Sequence, residues 1–403
     1  MKLSPASEAV VKATAGVVAE HAEQITKVFY PDMFAAHPEL TRTFNMANQA
    51  VGEQPKALAA SVVAYALSLI DPDAPDFTPV MERIAHKHVS LGIRAQEYTI
   101  VGHHLLKAVG TVLGDAVTPE IASAWDEVYW LFGTMLIAEE AKLYALGGTD
   151  PANPWRKYTV VERTEETADV FSLALKPVEG ELPTHRTGQY VALGVDLPGG
   201  RRQPRQYTIS NGAGQDVFQV TIRRVHGIDG APDGEVSTWL YENAQVGTVL
   251  DVSQPAGDVV LDDSDAPLVL VSAGIGVTPM AAVLEDITVR QPRRQVLVLH
   301  ADVAHESQAL YARMRKRIEF LENSSSQVWY ERDAESAPTL RPARSGYMDL
   351  SDIDVSADSK VFMCGPLPFM RGVRKSLLAK GIHPENIGYE VFGPDLWAQN
   401  PQD

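Results

Sequence analysis

The chain has 403 residues, 45% of them hydrophobic and 22% charged, a length that suits about two to four domains, each able to bury a core. A formal net charge of −17 argues against nucleic acid and anionic membranes as partners, because the overall field repels phosphate. The single cysteine excludes a disulfide framework and any zinc or iron–sulfur site built from cysteines, and it fits a reducing cytosol.

Met1-Lys2-Leu3-Ser4-Pro5 has no apolar core of a signal peptide and reads as the approach to a helix. Residues 1–148 are rich in Ala, Val, Leu, Glu and Lys at helical spacing, most clearly over Ala57–Ile70 and Ala124–Tyr144. Gly147-Gly148 then stops the last helix, and Pro151 and Pro154 prevent it from resuming. From Trp155 the pattern changes to short β-type runs: Tyr158–Val161, Val170–Leu175, Tyr190–Val195, Tyr207–Ser210 and Val217–Val225. Turns rich in Gly, Pro, Asp and Asn separate them, as in a small antiparallel barrel. Past Asp262-Asp263-Ser264-Asp265, apolar strands (Leu268–Ser272, Val296–His300, Val361–Cys364) alternate with helical runs (Pro279–Val289, Gln308–Leu321, Pro368–Leu378). That alternation predicts a parallel α/β sheet. Neither of the longest apolar stretches, Ala57–Ile70 and Leu268–Leu284, reads as a membrane helix: the first is short and the second is interrupted by Gly, Ser, Thr and Pro.

In the helical third, His88 shares a face with Ile84 and Leu91, whereas His86 points away from it. A lone histidine on an apolar face is either a core residue or a metal ligand. Two further groups bear on the choice. Glu140 lies with Leu136, Ile137 and Tyr144, and Tyr98 lies with Val101 and Leu105, so a buried carboxylate and a buried hydroxyl both need partners. A His88–Tyr98–Glu140 cluster would satisfy all three groups and hold the imidazole in one tautomer for donation to a metal.

In the remainder, alternation on a strand puts Arg205 and Tyr207 of Arg205-Gln206-Tyr207-Thr208 on one side. The arginine can then grip a phosphate, although the stretch could also be a polar edge strand. Gly234-Glu235-Val236-Ser237 exposes backbone N–H groups at a helix start, which suits an anion. Gly274-Ile275-Gly276-Val277-Thr278-Pro279 follows an apolar strand and opens a helix, the context a dinucleotide loop requires; a plain tight turn is the alternative. Pro279 replaces the third glycine of the usual pattern and is acceptable in a first helical turn. Cys364-Gly365-Pro366 ends another strand at the same carboxyl edge, where such sheets bind ligands; Cys364 is either part of that site or a buried structural thiol.

Taken together, the chain resembles the flavohaemoglobins, in which a globin is fused to a ferredoxin-reductase-like FAD/NAD module. In the globin part the resemblance runs through Phe29-Tyr30, Pro38-Glu39-Leu40, Phe44-Asn45-Met46, Gln54, Leu58, Lys87-His88, Tyr98, and Glu140 to Tyr144. It implies an all-α globin domain (1–148), an antiparallel β-barrel FAD domain (149–264) and an α/β parallel-sheet NAD domain (265–403). His88 becomes the proximal ligand of haem b iron, supported by Tyr98 and Glu140. Tyr30, Gln54 and Leu58 fall in the distal pocket and Phe44 against the haem. Pro31 and Pro55 follow Tyr30 and Gln54 directly, which predicts a kink after the first and a helix start at the second.

By the same resemblance, Tyr190, Arg205, Gln206, Tyr207, Thr208, Gly234, Val236 and Ser237 bind FAD. Gly274, Gly276, Val277, Thr278, Pro279, Cys364, Gly365 and Pro366 bind the nicotinamide nucleotide. Phe392, with Gly393 and Pro394, belongs to the C-terminal segment that covers the flavin. Asp302, after the second strand of the last domain, favours NADH over NADPH. The implied activity is that of a nitric oxide dioxygenase, an oxidoreductase that passes electrons from NADH through FAD to haem and converts NO and O2 to nitrate. The implied setting is cytoplasmic, with O2 and NO as small-molecule partners, no integral membrane contact, no nucleic acid and no obligate protein partner. Two alternatives stand beside it: a relative reducing alkyl hydroperoxides or using a lactate-type donor, and a gas sensor whose reductase keeps the haem ferrous.

Overall fold

The computed structural model describes residues 2–44, 46, 53–227 and 230–393, with the side chains of Glu53 and Gln54 outside that description. The chain divides into two compact units. One gathers the N-terminal part through Trp155 with Gly200–Pro204 and Gly393; the other holds Arg156–Gly199 and Arg205–Phe392.

The first unit is helical: α1 (Pro5–Ala36), α2 (Glu53–Ile70), α3 (Thr78–Leu91), α4 (Glu97–Leu113) and α5 (Pro119–Leu146). Ser4 caps α1 by accepting from Ser7 N at 3.3 Å, and Pro5 occupies the first turn, where its missing N–H costs nothing. The same device, Thr118 followed by Pro119, starts α5. α1 continues through Pro31 to Ala36. Buried Phe29, Tyr30 and Met33 on either side of the proline anchor the helix to the core, so packing outweighs the one lost hydrogen bond. α5 ends where Gly147 N bonds Leu143 O at 3.0 Å, and Gly148 takes a left-handed φ of +61°.

Beyond the helices the chain forms two sheets. Strands β1 (Trp155–Glu165), β2 (Val170–Pro177), β3 (Tyr190–Leu197), β4 (Arg201–Thr208), β5 (Phe218–Arg223) and β6 (Val249–Ser253) lie in the order β4-β3-β6-β1-β2-β5. The pairings β1–β2, β2–β5 and β3–β6 are antiparallel. The sheet curls until its edges meet, where Ile209 bridges Val220 and Ser210 N bonds Gln219 O at 2.7 Å. The expected barrel is thus a curled sheet closed at one end. Its interior is filled by Tyr158, Val160, Phe171, Leu173, Leu193 and Val195 among others, every second residue along each strand. Helix α6 (Glu235–Asn243) follows β5.

The second sheet has the order β10-β9-β8-β7-β11-β12, with every described pairing parallel. Its strands are β7 (Leu268–Ala273), β8 (Val296–Asp302), β9 (Ser324–Tyr330), β10 (Arg344–Ser345), β11 (Lys360–Cys364) and β12 (Ile387–Glu390). Helices α7 (Val277–Arg290), α8 (Tyr311–Phe320) and α9 (Leu367–Ala379) link them. Strands 7 to 10 run outward to one side and β11 returns to the other side of β7, so the chain reverses between β7 and β11. That point opens a crevice at the carboxyl ends of both strands.

Candidate functional site

α3 and α5 lie side by side, and α4 follows α3 after a short turn, which brings the three polar groups of the helical unit together. His88 Nδ1 stands 2.8 Å from Glu140 Oε1 and 2.9 Å from the Tyr98 hydroxyl, and that hydroxyl donates to the same Glu140 oxygen at 2.5 Å. Tyr129 in turn donates to Tyr98 O at 2.5 Å. Burial pushes the Tyr98 phenol far above its usual range, reinforced by the Glu140 charge and hydrogen bond, so it stays a neutral donor. With a carboxylate facing Nδ1, that nitrogen carries the proton and the Nε2 lone pair is left for a metal. Glu140 is only 3% exposed, whereas the His88 side chain retains 31%. The imidazole therefore offers an accessible face from a buried support, the donor set suited to a haem iron.

Tyr30 is buried among aromatic rings: Phe29 at 4.6 Å, Phe34 at 5.8 Å and Phe44 edge-on at 6.0 Å. Leu58 on α2 lines an apolar pocket with Ile25, Val62, Leu105 and Trp125. Gln54 lies in the first turn of α2, as its proline neighbour predicts, but its side chain lies outside the described residues. His86, read as pointing outward, is half-buried.

In the curled sheet, Arg205 and Tyr207 lie two positions apart on β4, both half-buried. Burial lowers the pKa of Arg205, opposed by Tyr207 and Glu235, and burial raises that of Tyr207. A guanidinium so enclosed suits an anionic ligand. Tyr190 is 5% exposed, and its ring lies against Gly257, where an added Cβ would stand 3.1 Å away. Thr208 is buried beside them in sequence, and Gln206 is half-buried. Gly234 precedes α6 without a side-chain cap. There Ser237 Oγ accepts from Val225 N at 3.1 Å and Val236 is buried. Arg224 Nε and Thr238 Oγ1, near this helix start in sequence, are buried without hydrogen-bond partners among the described residues, as expected where a polar ligand completes a site.

At the reversal point, Gly274 takes a φ of +53° and Gly276 abuts the end of β11. A Cβ on Gly276 would stand 2.4 Å from Cys364 O and 2.9 Å from Gly365 N. The Gly274–Pro279 loop and Cys364-Gly365-Pro366 thus form one cradle of backbone, with Val277, Thr278 and Pro279 buried behind it. Cys364 is fully buried, and burial first, then Glu390, pushes its thiol well up, so it is inert as a nucleophile. Phe392 is 50% exposed, Gly393 has a φ of +144°, and Pro394 lies outside the described residues.

Sequence reading missed Arg223. Its guanidinium lies over the glycine turn, 2.9 Å from where a Gly274 Cβ would stand and 3.8 Å from Asp302 Oδ2. No local signal marks it, because it comes from the other sheet. Asp302 Oδ1 accepts from Val303 N and Ser307 Oγ, both at 2.8 Å, while Oδ2 faces His300 Nε2 at 3.5 Å and the Arg223 guanidinium at 3.8 Å. Burial works to raise the pKa of Asp302, but His300, Ser307 and the Val303 amide outweigh it and hold the group below the usual carboxylate range. Arg294 lies at the far end of β8, bonded to Ala266 O and Asp262, remote in register from Asp302.

Residues 27–136 match the globin family and residues 270–375 the oxidoreductase NAD-binding domain family. The chain is 40% identical over 401 residues to a flavohemoprotein of Bordetella parapertussis, covering 97% of this chain and 98% of that one. It is 34% identical over 396 residues to a flavohemoprotein of Bacillus subtilis, covering 96% of each. Among solved structures it is similar to a flavohemoglobin from Malassezia yamatoensis with bound FAD and heme, with a TM-score of 0.89, 33% identity and coverage of 98% and 100%. It is also similar to the FAD/NAD-binding domain of a nitric oxide dioxygenase from Vibrio cholerae, with a TM-score of 0.54, 32% identity and coverage of 59% of this chain and 99% of that one. No helix among the described residues is long and apolar enough to cross a membrane.

Proposed function

Because the chain belongs to the flavohaemoprotein family, we propose that it is a cytoplasmic nitric oxide dioxygenase using haem b, FAD and NADH. Two NO and two O2 react with one NADH to give two nitrates, NAD+ and a proton. When bound, FAD converts a two-electron donor into a source of single electrons, and haem supplies the O2 chemistry. The observation that carries the reading is the imidazole of His88, whose Nδ1 is engaged by Glu140 and Tyr98 at 2.8 and 2.9 Å.

In this reading His88 holds the iron through Nε2. Glu140 keeps the proton on Nδ1, and Tyr98 keeps Glu140 in place. Tyr30 would offer its hydroxyl, and Phe44 and Leu58 apolar surface, to a bound haem, and Gln54 is the further distal candidate by sequence. Arg205 grips an FAD phosphate, Tyr207 and Tyr190 flank the flavin with Gln206 and Thr208, and the amides near Gly234, Val236 and Ser237 take the diphosphate. The cradle from Gly274 to Pro279 and from Cys364 to Pro366 holds NADH, with Arg223 over its phosphates. Phe392 and Gly393 would lie against a bound flavin, in the C-terminal segment to which Pro394 belongs by sequence. Asp302 supports NADH over NADPH, since a 2′-phosphate would meet a carboxylate. The proposed division is 1–148 for haem, 149–264 for FAD and 265–403 for NAD.

Protein replete in haem and FAD is expected to consume NO aerobically, with nitrate formed in proportion to NADH. NADH oxidation without nitrate would overturn the assignment, and flavin bleaching by D-lactate in place of NADH would favour the lactate-type alternative. Glu140→Gln keeps the side-chain shape but weakens the Nδ1–H acceptor. It is expected to cost about 10–100-fold in haem affinity or turnover, measured as haem loss to an excess of apo-globin. Haem retention equal to wild type would show that Glu140 gives no such support.

A further inference from the structure

Two carboxylates on α7 sit in the seam between the curled sheet and the parallel sheet, and the cofactor sites described above do not use them. Asp286 is 4% exposed. Its Oδ2 accepts from the hydroxyl of Thr187, itself 2% exposed, in the loop before β3. Thr187 Oγ1 also accepts from Ala213 N at 3.2 Å, and Thr187 O accepts from Leu261 N at 2.9 Å. Arg290, one turn on, closes the other side of Asp286 with bonds of 2.6 and 2.5 Å and reaches Asp263 at 3.3 Å. Beside it, Glu285 pairs with Arg313 of α8, and Arg313 donates to Gln219 Oε1 on β5 at 2.7 Å. The backbones also close up here, since a Cβ on Gly212 would stand 3.2 Å from Asp286 N.

Thr187 and Gly212 of the curled sheet thus meet one turn of α7 directly, and Gln219 reaches the same turn through Arg313 of α8. A carboxylate as buried as Asp286 gains little net stability from a partly exposed arginine, because its desolvation offsets the Coulombic gain, but the bonds it accepts fix one geometry against others. α7 is also the helix that the Gly274–Pro279 loop opens, and Asp286 lies about 14 Å along it from Val277. Whatever clamps α7 to the curled sheet therefore sets where the nucleotide cradle stands relative to the flavin strands.

We infer that Thr187 and Asp286, assisted by Arg313 and Glu285, form a latch that holds the nucleotide-binding sheet in register with the flavin-binding sheet. These are positioning residues for flavin reduction by NADH. In that step NADH becomes NAD+ while the flavin takes two electrons, the transferred hydrogen and a proton. The inference rests on the NADH-to-FAD relay proposed above. It explains why a threonine adjoining Gly188-Gln189-Tyr190 spends its hydroxyl on a helix of the other sheet.

The test uses the full chain loaded with FAD and haem. Thr187→Val removes the hydroxyl and keeps the volume. The limiting rate of anaerobic flavin bleaching by NADH is expected to fall about tenfold, as displacement of reacting groups by a fraction of an ångström would cause. The half-saturating NADH concentration and the flavin spectrum should stay unchanged. Without NADH, backbone amides of α7 and of Gly212-Ala213 should exchange hydrogen faster than in wild type, and Thr187→Ser should restore both readouts. Arg313→Met, at a half-buried site, cuts the second bridge without opening the core, and is expected to slow bleaching about threefold; it serves if Thr187→Val does not fold. Wild-type rates and exchange in these variants would overturn the latch, as would a Thr187→Ser protein as slow as Thr187→Val. If wild-type flavin were not bleached by NADH, the relay would fail, and the exchange data would still decide the latch.

Discussion

Replacing His88 by alanine is expected to leave a protein that purifies with flavin but without stoichiometric haem, and whose NO consumption falls to that of buffer. The imidazole meets both Tyr98 and Glu140 at hydrogen-bond distance from Nδ1, at 2.9 and 2.8 Å. Its loss removes the iron ligand and also withdraws a donor from a carboxylate that is 3% exposed. Tyr98 still donates to Glu140 at 2.5 Å, so the charge is underpaired and not orphaned, which costs about 1–3 kcal/mol in stability. Thermal unfolding of the helical unit should therefore shift down modestly. Flavin bleaching by NADH should be unaffected, because it draws on residues of the other unit. Imidazole added to the buffer is expected to restore part of the haem absorbance by occupying the vacated space. Full NO turnover in the alanine variant would sink the assignment of His88.

Gly276→Ala carries the second large effect, at the opposite end of the relay. The new Cβ would stand 2.4 Å from Cys364 O and 2.6 Å from Cys364 C, and neither contact can yield by rotating a side chain. The turn after β7 and the end of β11 must move apart, which overpacks the crevice at a cost of about 1–3 kcal/mol. The larger consequence is kinetic. Opening the cradle by about an ångström displaces the nucleotide from the flavin, and flavin reduction by NADH is expected to fall about a hundredfold. Dithionite, which needs no cradle, should reduce flavin and haem as in wild type, and haem content should be unchanged. An NADH reduction rate within a few-fold of wild type would mean that this glycine does not line the nucleotide site.

The two variants probe features that differ in how they were legible. The segment Gly274–Pro279 reads directly, because a strand end, a tight turn and a helix start are all made by neighbours in the chain. The two-residue spacing of Arg205 and Tyr207 on β4 is local in the same way. His88, Tyr98 and Glu140 are 10, 52 and 42 positions apart pairwise. Their helix faces reveal only that each needs a partner; the side-by-side packing of α3 and α5 makes them one another's partners. β9, Ser-Ser-Ser-Gln-Val-Trp-Tyr, went unread because its first half is polar, and its pairing between β8 and β10 makes it a strand. β6 and β12 are short and owe their form to neighbours in the same way. Pro31 stands inside α1, which runs on to Ala36 because the burial of its flanks outweighs the one hydrogen bond the proline removes.

By itself, then, the sequence determined the change from helices to strands near Gly147, the strand–helix alternation past Asp265, and the contiguous binding turns. These follow from side-chain periodicity and from backbone demands of glycine and proline, which act over a few residues. Tertiary structure alone decided that Gly276 abuts Cys364, that Arg223 reaches the glycine turn of another sheet, and that Thr187 meets Asp286 across the seam. Such contacts depend on sheet order and helix packing, where an apolar pattern says which face is buried but not what it is buried against.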